Sequence, residues 1–256
     1  MSPQPDLSKL SVGQFAERFR GEMIPLSNTF SYFCASVPFS EEDLKEYLEE
    51  PVAALPPGIS ALLPKISIML VPYLERIDGK DKGAVRKDEF VCTEKPPESR
   101  LSWATQVRLD PEEVLLFALK EQDVSEYHYR FYHELATLAA GLWSEEAQTG
   151  YEALLREELN RGVHGEVDEE SWHLKQALLR RQTNVRRETK LFRDYARQSF
   201  ADTLTLYLHG ICCDIDVETG PRQLPSRYMR KRLNLLYSLY PPPSGYAVFP
   251  EHQKQD

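Results

Sequence analysis

Between residues 125 and 142 the apolar positions Phe131, Leu135, Leu138 and Leu142 recur at three- and four-residue steps, the pattern of a helix with one buried face. The pattern predicts a central helix from about Ser125 to Gly141, where glycine can close it. Upstream, Leu10, Phe15 and Phe19 predict a first helix capped by Asp6 or Ser8 and ending near Gly21. Ser40 with Asp43 three residues on resembles a capping box and opens a helix over 41–50 that Pro51 ends.

The character then changes. Ile66, Ile68, Leu70, Val71 and Tyr73 predict a strand over 64–76, the polar and glycine-containing stretch 78–88 a loop, and 89–93 a second short strand. Leu101, Trp103, Thr105, Val107 and Leu109 alternate with polar neighbours, the clearest strand pattern in the chain. From Asp110, a plausible N-cap with Pro111 at the first helical position, everything downstream reads as helical. That stretch comprises a helix through 114–118, the central helix, an amphipathic helix over 144–161, a long charged segment over 169–197, and a helix ending at Gly210. A loop over 211–225, a helix over 226–239 and an extended proline-rich tail from Tyr240 complete the chain.

These elements predict an α+β fold, mainly helical, with a small mixed β-sheet in the middle third packed on a helical core. The expected organisation is a helical N-terminal extension over 1–60, a main domain over 61–240 and a C-terminal tail over 241–256. With 256 residues and 41% hydrophobic content the chain can bury a sizeable core. A formal charge of −9 disfavours nucleic acid and anionic membrane as partners. Four cysteines without C-x-x-C spacing predict reduced thiols. The polar N-terminus, and the lack of any run approaching the ~18 apolar residues of a membrane span, predict a cytoplasmic protein.

Candidate chemistry centres on His133-Glu134. Two histidines at i and i+4 on one helix can share a zinc ion, and a glutamate between them can activate its bound water. Here the position one turn after His133 is Thr137, a poor zinc ligand. The order of elements is nevertheless distinctive: strand, loop, alternating strand, His-Glu helix, and then Phe200, Ala201, Asp202, Thr203, Leu204, Thr205, Leu206, Tyr207 and Leu208. It resembles the zincin-type metallopeptidases whose third ligand is an acidic residue on a later helix.

The resemblance covers about 60–240. It implies that His133 matches a zinc ligand, Glu134 the general base and Asp202 the third ligand, shortened by one methylene, while the second histidine is replaced by Thr137. It also implies that 101–109 is the edge strand along which a substrate lies. The expected function is therefore that of a decayed metallopeptidase-like protein acting through protein or peptide binding, with no cofactor, or with zinc if the site still works. The alternatives are an active zinc hydrolase that recruits His128, His164, His173 or His209, and an all-helical interaction or regulatory protein.

Each residue also has a plainer reading. His133 and Asp202 are ordinary types for hydrogen-bonded helix positions. Tyr127, Tyr129, Phe131 and Tyr132 suit helix packing. The basic run Arg180, Arg181, Arg186, Arg187, Lys190, Arg193 and Arg197 suits a solvated face in an acidic chain. Cys212 and Cys213 are vicinal thiols of the kind that bind soft metals, although one such pair alone defines no site.

Overall fold

The structure is a computed structural model that describes residues 10–35, 38–81, 84–180, 187–213 and 222–249, and for 78–81 and 84–87 the backbone alone. Among its described residues helix outweighs strand, which makes it a mainly helical α+β protein. Its contacts divide it into two compact units, Met1–Glu49 with Pro64–Arg130, and Glu50–Leu63 with Phe131–Asp256. None of its described helices is long and apolar enough to cross a membrane.

The first unit is built on a five-stranded mixed sheet. Its strands are β1 (Ile24–Pro25), β2 (Phe30–Cys34), β3 (Ile66–Val71), β7 (Ala104–Leu109) and β8 (Glu112–Ala118), in the order β1-β2-β3-β8-β7. The three inner strands run parallel, and β1 and β7 are antiparallel edges. A smaller antiparallel sheet joins β4 (Tyr73–Asp81), β5 (Ala84–Cys92) and β6 (Leu101–Ser102) in the order β5-β4-β6. Helix α1 (Val12–Phe19) lays Val12, Phe15, Ala16 and Phe19 on a core with Met69, Val71, Val114, Leu116 and Ala118. Ser11 and Gln14 form its capping box. The expected caps, Asp6 and Ser8, lie outside the described residues.

Several expected elements differ, each for a physical reason. The stretch 112–118 is a strand and not a helix: residues 114–118 are all buried in an inner strand of the sheet, and a short continuous apolar run does not distinguish a doubly covered strand from a buried helix turn. The expected loop over 78–88 belongs to the long β4–β5 hairpin, whose ladder is made by backbone groups and requires no apolar alternation. The single strand expected over 101–109 is split at Trp103 between the two sheets, and the one expected over 64–76 is split at Pro72, which has no N–H to give a ladder. Residues 24–34, within the stretch read as a helical extension, supply β1 and β2.

Pro51 does not end its helix. Helix α2 (Glu41–Leu44) passes through a π-turn (Lys45–Glu49) into α3 (Glu50–Ala53), where Pro51 lies in a first turn that needs no donor.

The second unit contains α3, α4 (Pro57–Leu62), the C-terminal part of α5 (Val124–Leu142), α6 (Glu145–Asn160) and α7 (Glu169–Leu179), followed by two helices labelled here α8 (Lys190–Cys212) and α9 (Ser226–Leu239). Ser144, Asp168 and Thr189 cap α6, α7 and α8 with side-chain oxygens. Gly141 and Gly210, expected as stops, are internal to α5 and α8. Of the loop expected over 211–225, residues 214–221 lie outside the described residues. The tail folds back, with Phe249 buried beneath Arg230.

At the centre of this unit Arg232 of α9 is fully buried. Its guanidinium donates to Glu158 of α6 at 2.6 Å and to Glu166 at 2.7 Å, and Lys175 of α7 donates to Glu166 at 3.0 Å. Tyr195 and Ser199 of α8 also donate to Glu166. Burial pushes the Glu166 carboxyl up, but the charges of Arg232 and Lys175 and the hydrogen bonds from Arg232 and Tyr195 outweigh it and hold it at about 2.

The Arg232→Met variant would leave Glu158 buried without its guanidinium, and its unfolding free energy in urea is expected to fall by about 3–5 kcal/mol. The folded pKa of Glu166 lies below the roughly 4.3 of an unfolded glutamate. The stability it supplies is therefore present above that pH and is lost as pH falls toward 2, which acid titration of the fold measures.

Candidate functional site

Three helices of the second unit enclose a cleft of about 280 Å³. Thr137 and Ala140 line it from α5, Leu174 from α7, and Asp194, Arg197, Gln198 and Ala201 from α8. The Arg197 side chain of α8 reaches across to Gly141 of α5, where an added Cβ would stand 3.1 Å from its guanidinium.

The spacing of residues along α8 explains its two working faces. Tyr195, Ser199 and Thr203, four residues apart, point into the buried polar network, while Asp194, Gln198 and Asp202 share the adjoining face.

Asp202 is 2% exposed. Its Oδ1 accepts from Gln198 Nε2 at 2.8 Å, and Oδ2 has no well-formed hydrogen bond among the described residues. The nearby Ser171 hydroxyl lowers its pKa but is oriented toward the Asp168 carbonyl at 3.1 Å. Burial dominates and raises the Asp202 carboxyl to about 6, helped by the charge of Asp168 and opposed by Ser171, Gln198 and the charge of His133.

His133 of α5 and Asp202 of α8 thus lie within electrostatic reach of each other. His133 and Glu134 are half-buried, and Thr137 is exposed on the cleft. His128 bonds the Glu46 carbonyl at 2.9 Å within the first unit, His164 is exposed, His173 is exposed beside Glu169, and His209 packs near the Tyr132 ring. Of the basic run, Arg181 and Arg186 lie outside the described residues, Arg193 is exposed beside Glu188, and Arg197 lines the cleft.

The donor set does not fit a tightly held catalytic zinc. His133 and Asp202 offer one imidazole and one carboxylate, and among the described residues they belong to no group of three histidine, cysteine or carboxylate ligands that one ion could share. A catalytic zinc keeps three protein ligands, and Thr137 supplies only a hydroxyl. No family model matches this chain, and neither does any curated protein or solved structure.

Gln198 and Ser171 were not among the candidate residues. Gln198 is legible from its i, i+4 spacing to Asp202, whereas Ser171 reaches the site only through the packing of α7 on α8.

The folded pKa of Asp202 lies above that of an unfolded aspartate, so the ionised form destabilises the fold and the penalty grows from about pH 4 to its full value above about 6. Asp202→Asn is expected to raise stability at pH 7.5 by about 1–3 kcal/mol and to flatten the pH dependence between 4 and 6, as chemical denaturation across that range would record.

Proposed function

We propose that this protein is a metallopeptidase-like protein whose zinc site has decayed, and that it acts by binding a peptide or protein segment at the cleft between α5, α7 and α8. The observation that carries this reading is that His133 of α5 and the buried Asp202 of α8 lie within electrostatic reach of each other, while Thr137, one turn after His133, lines the neighbouring cleft. A lone imidazole–carboxylate pair cannot fix a metal firmly enough to polarise a peptide carbonyl, so on this reading the site lacks the electrophile that hydrolysis requires.

The cleft contains the groups that a peptide backbone requires. Gln198 can donate and accept, Arg197 and Asp194 offer charges of both signs, and Ala140, Leu174 and Ala201 give an apolar floor. Glu134 has no metal-bound water to activate in such a site, and its place is a half-buried position on α5.

Metal analysis of the purified chain with and without Thr137→His tests this. The native chain is expected to hold no zinc that depends on His133 after dialysis, and the variant to bind about one further equivalent through His133, the new histidine and Asp202. A native chain that holds a full equivalent of zinc, with that zinc lost on replacing His133, would overturn the reading in favour of an active hydrolase.

A further inference from the structure

At the end of α8 the chain places two cysteines side by side. Cys212 is the last helical residue, and Cys213 turns into extended backbone with φ −132° and ψ 149° while its N–H still bonds the His209 carbonyl at 2.8 Å. Their sulfur atoms lie within 4.8 Å of each other, and both residues are half-buried. We propose that Cys212 and Cys213 form a dithiolate chelate for a soft, thiophilic metal cation.

Geometry favours chelation over a disulfide. Adjacent Cα atoms stand about 3.8 Å apart across a trans peptide, below the roughly 4.4 Å at which ordinary disulfides begin, so a bond between these neighbours would be strained. A metal with two bonds of about 2.3 Å to sulfur bridges thiolates held up to about 4.6 Å apart, which small side-chain rotations reach from the observed separation. Two thiolates select soft ions over magnesium or calcium.

Cys212 differs from Cys34 and Cys92 in its surroundings. A hydrogen bond from Cys213 lowers the Cys212 thiol to about 7 against the opposing effect of burial, and the Tyr132 hydroxyl also lowers it. Burial pushes Cys34 up to about 11, and burial and the Glu75 carboxylate raise Cys92. Chelation by both sulfur atoms then releases the proton that Cys213 donates to Cys212, so metal binding at this pair is coupled to proton release.

Cadmium titrated into the reduced full chain tests the assignment through its ultraviolet thiolate-to-metal charge-transfer band. The expected result is saturation at about one ion per chain, with affinity reduced at least tenfold in both Cys212→Ser and Cys213→Ser, since even an outer-shell partner is worth roughly that much. Cys34→Ser and Cys92→Ser should match the native chain. Absence of the band in the native protein, or a band unchanged in Cys212→Ser and Cys213→Ser, would overturn the proposal, and the native titration decides it even if a serine variant fails to fold. None of these outcomes bears on the cleft between α5, α7 and α8.

Discussion

In the second unit Arg232 and Lys175 face Glu158 and Glu166 with almost no solvent access. Two cations against two carboxylates leave the cluster formally neutral, and each acceptor receives several donors, which is the condition under which a buried ionic group is tolerated. The cluster ties α6, α7, α8 and α9 to the 161–166 loop. Gly165, at φ +77°, lies so close to Gln223 that a Cβ would stand 2.1 Å from its carbonyl oxygen, so only glycine permits the backbone contact that presents Glu166. An apolar replacement of the whole cluster could fill the same volume, but it would not fix the rotation of each helix through directed hydrogen bonds.

That rotation determines the chemistry. With Tyr195, Ser199 and Thr203 committed inward, helical geometry turns Asp194 and Gln198 to the next face, toward the cleft that Thr137 and Ala140 line from α5, with Asp202 buried one turn further along. The two buried carboxylates then behave in opposite ways for the same underlying reason. Glu166 is surrounded by cationic and hydroxyl donors and stays ionised, whereas Asp202 has one good donor and its carboxyl is raised. The first consolidates the fold. The second is a strained polar group beside a cleft, where perturbed carboxyls accompany binding or catalysis.

Much of the helical half was legible from sequence. Phe131, Leu135, Leu138 and Leu142 marked α5, and Pro225 marked the start of the helix over 226–239. Cys212 and Cys213 stood out because adjacency is visible in the sequence itself. The sheet was harder. Residues 114–118 carry no alternation because both faces are covered, and 78–88 carries none because its pairing comes from the backbone. The charge cluster was not legible: Glu158, Glu166, Lys175 and Arg232 are individually ordinary surface residue types, and only tertiary packing brings them together across 74 positions of chain. Likewise, the sequence named His133, Glu134 and Asp202, whereas the environment that raises the Asp202 carboxyl depends on Ser171 and Gln198 and on exclusion of water.

The carboxyl carbon of Asp202, followed by NMR through a pH titration of the native chain and of His133→Asn, tests the juxtaposition of α5 and α8 most directly. If imidazole and carboxyl share one site, Asp202 titrates near 6 and moves higher when the His133 charge is removed. Titration near the ordinary aspartate value of about 3.9, or a midpoint indifferent to His133, would contradict it.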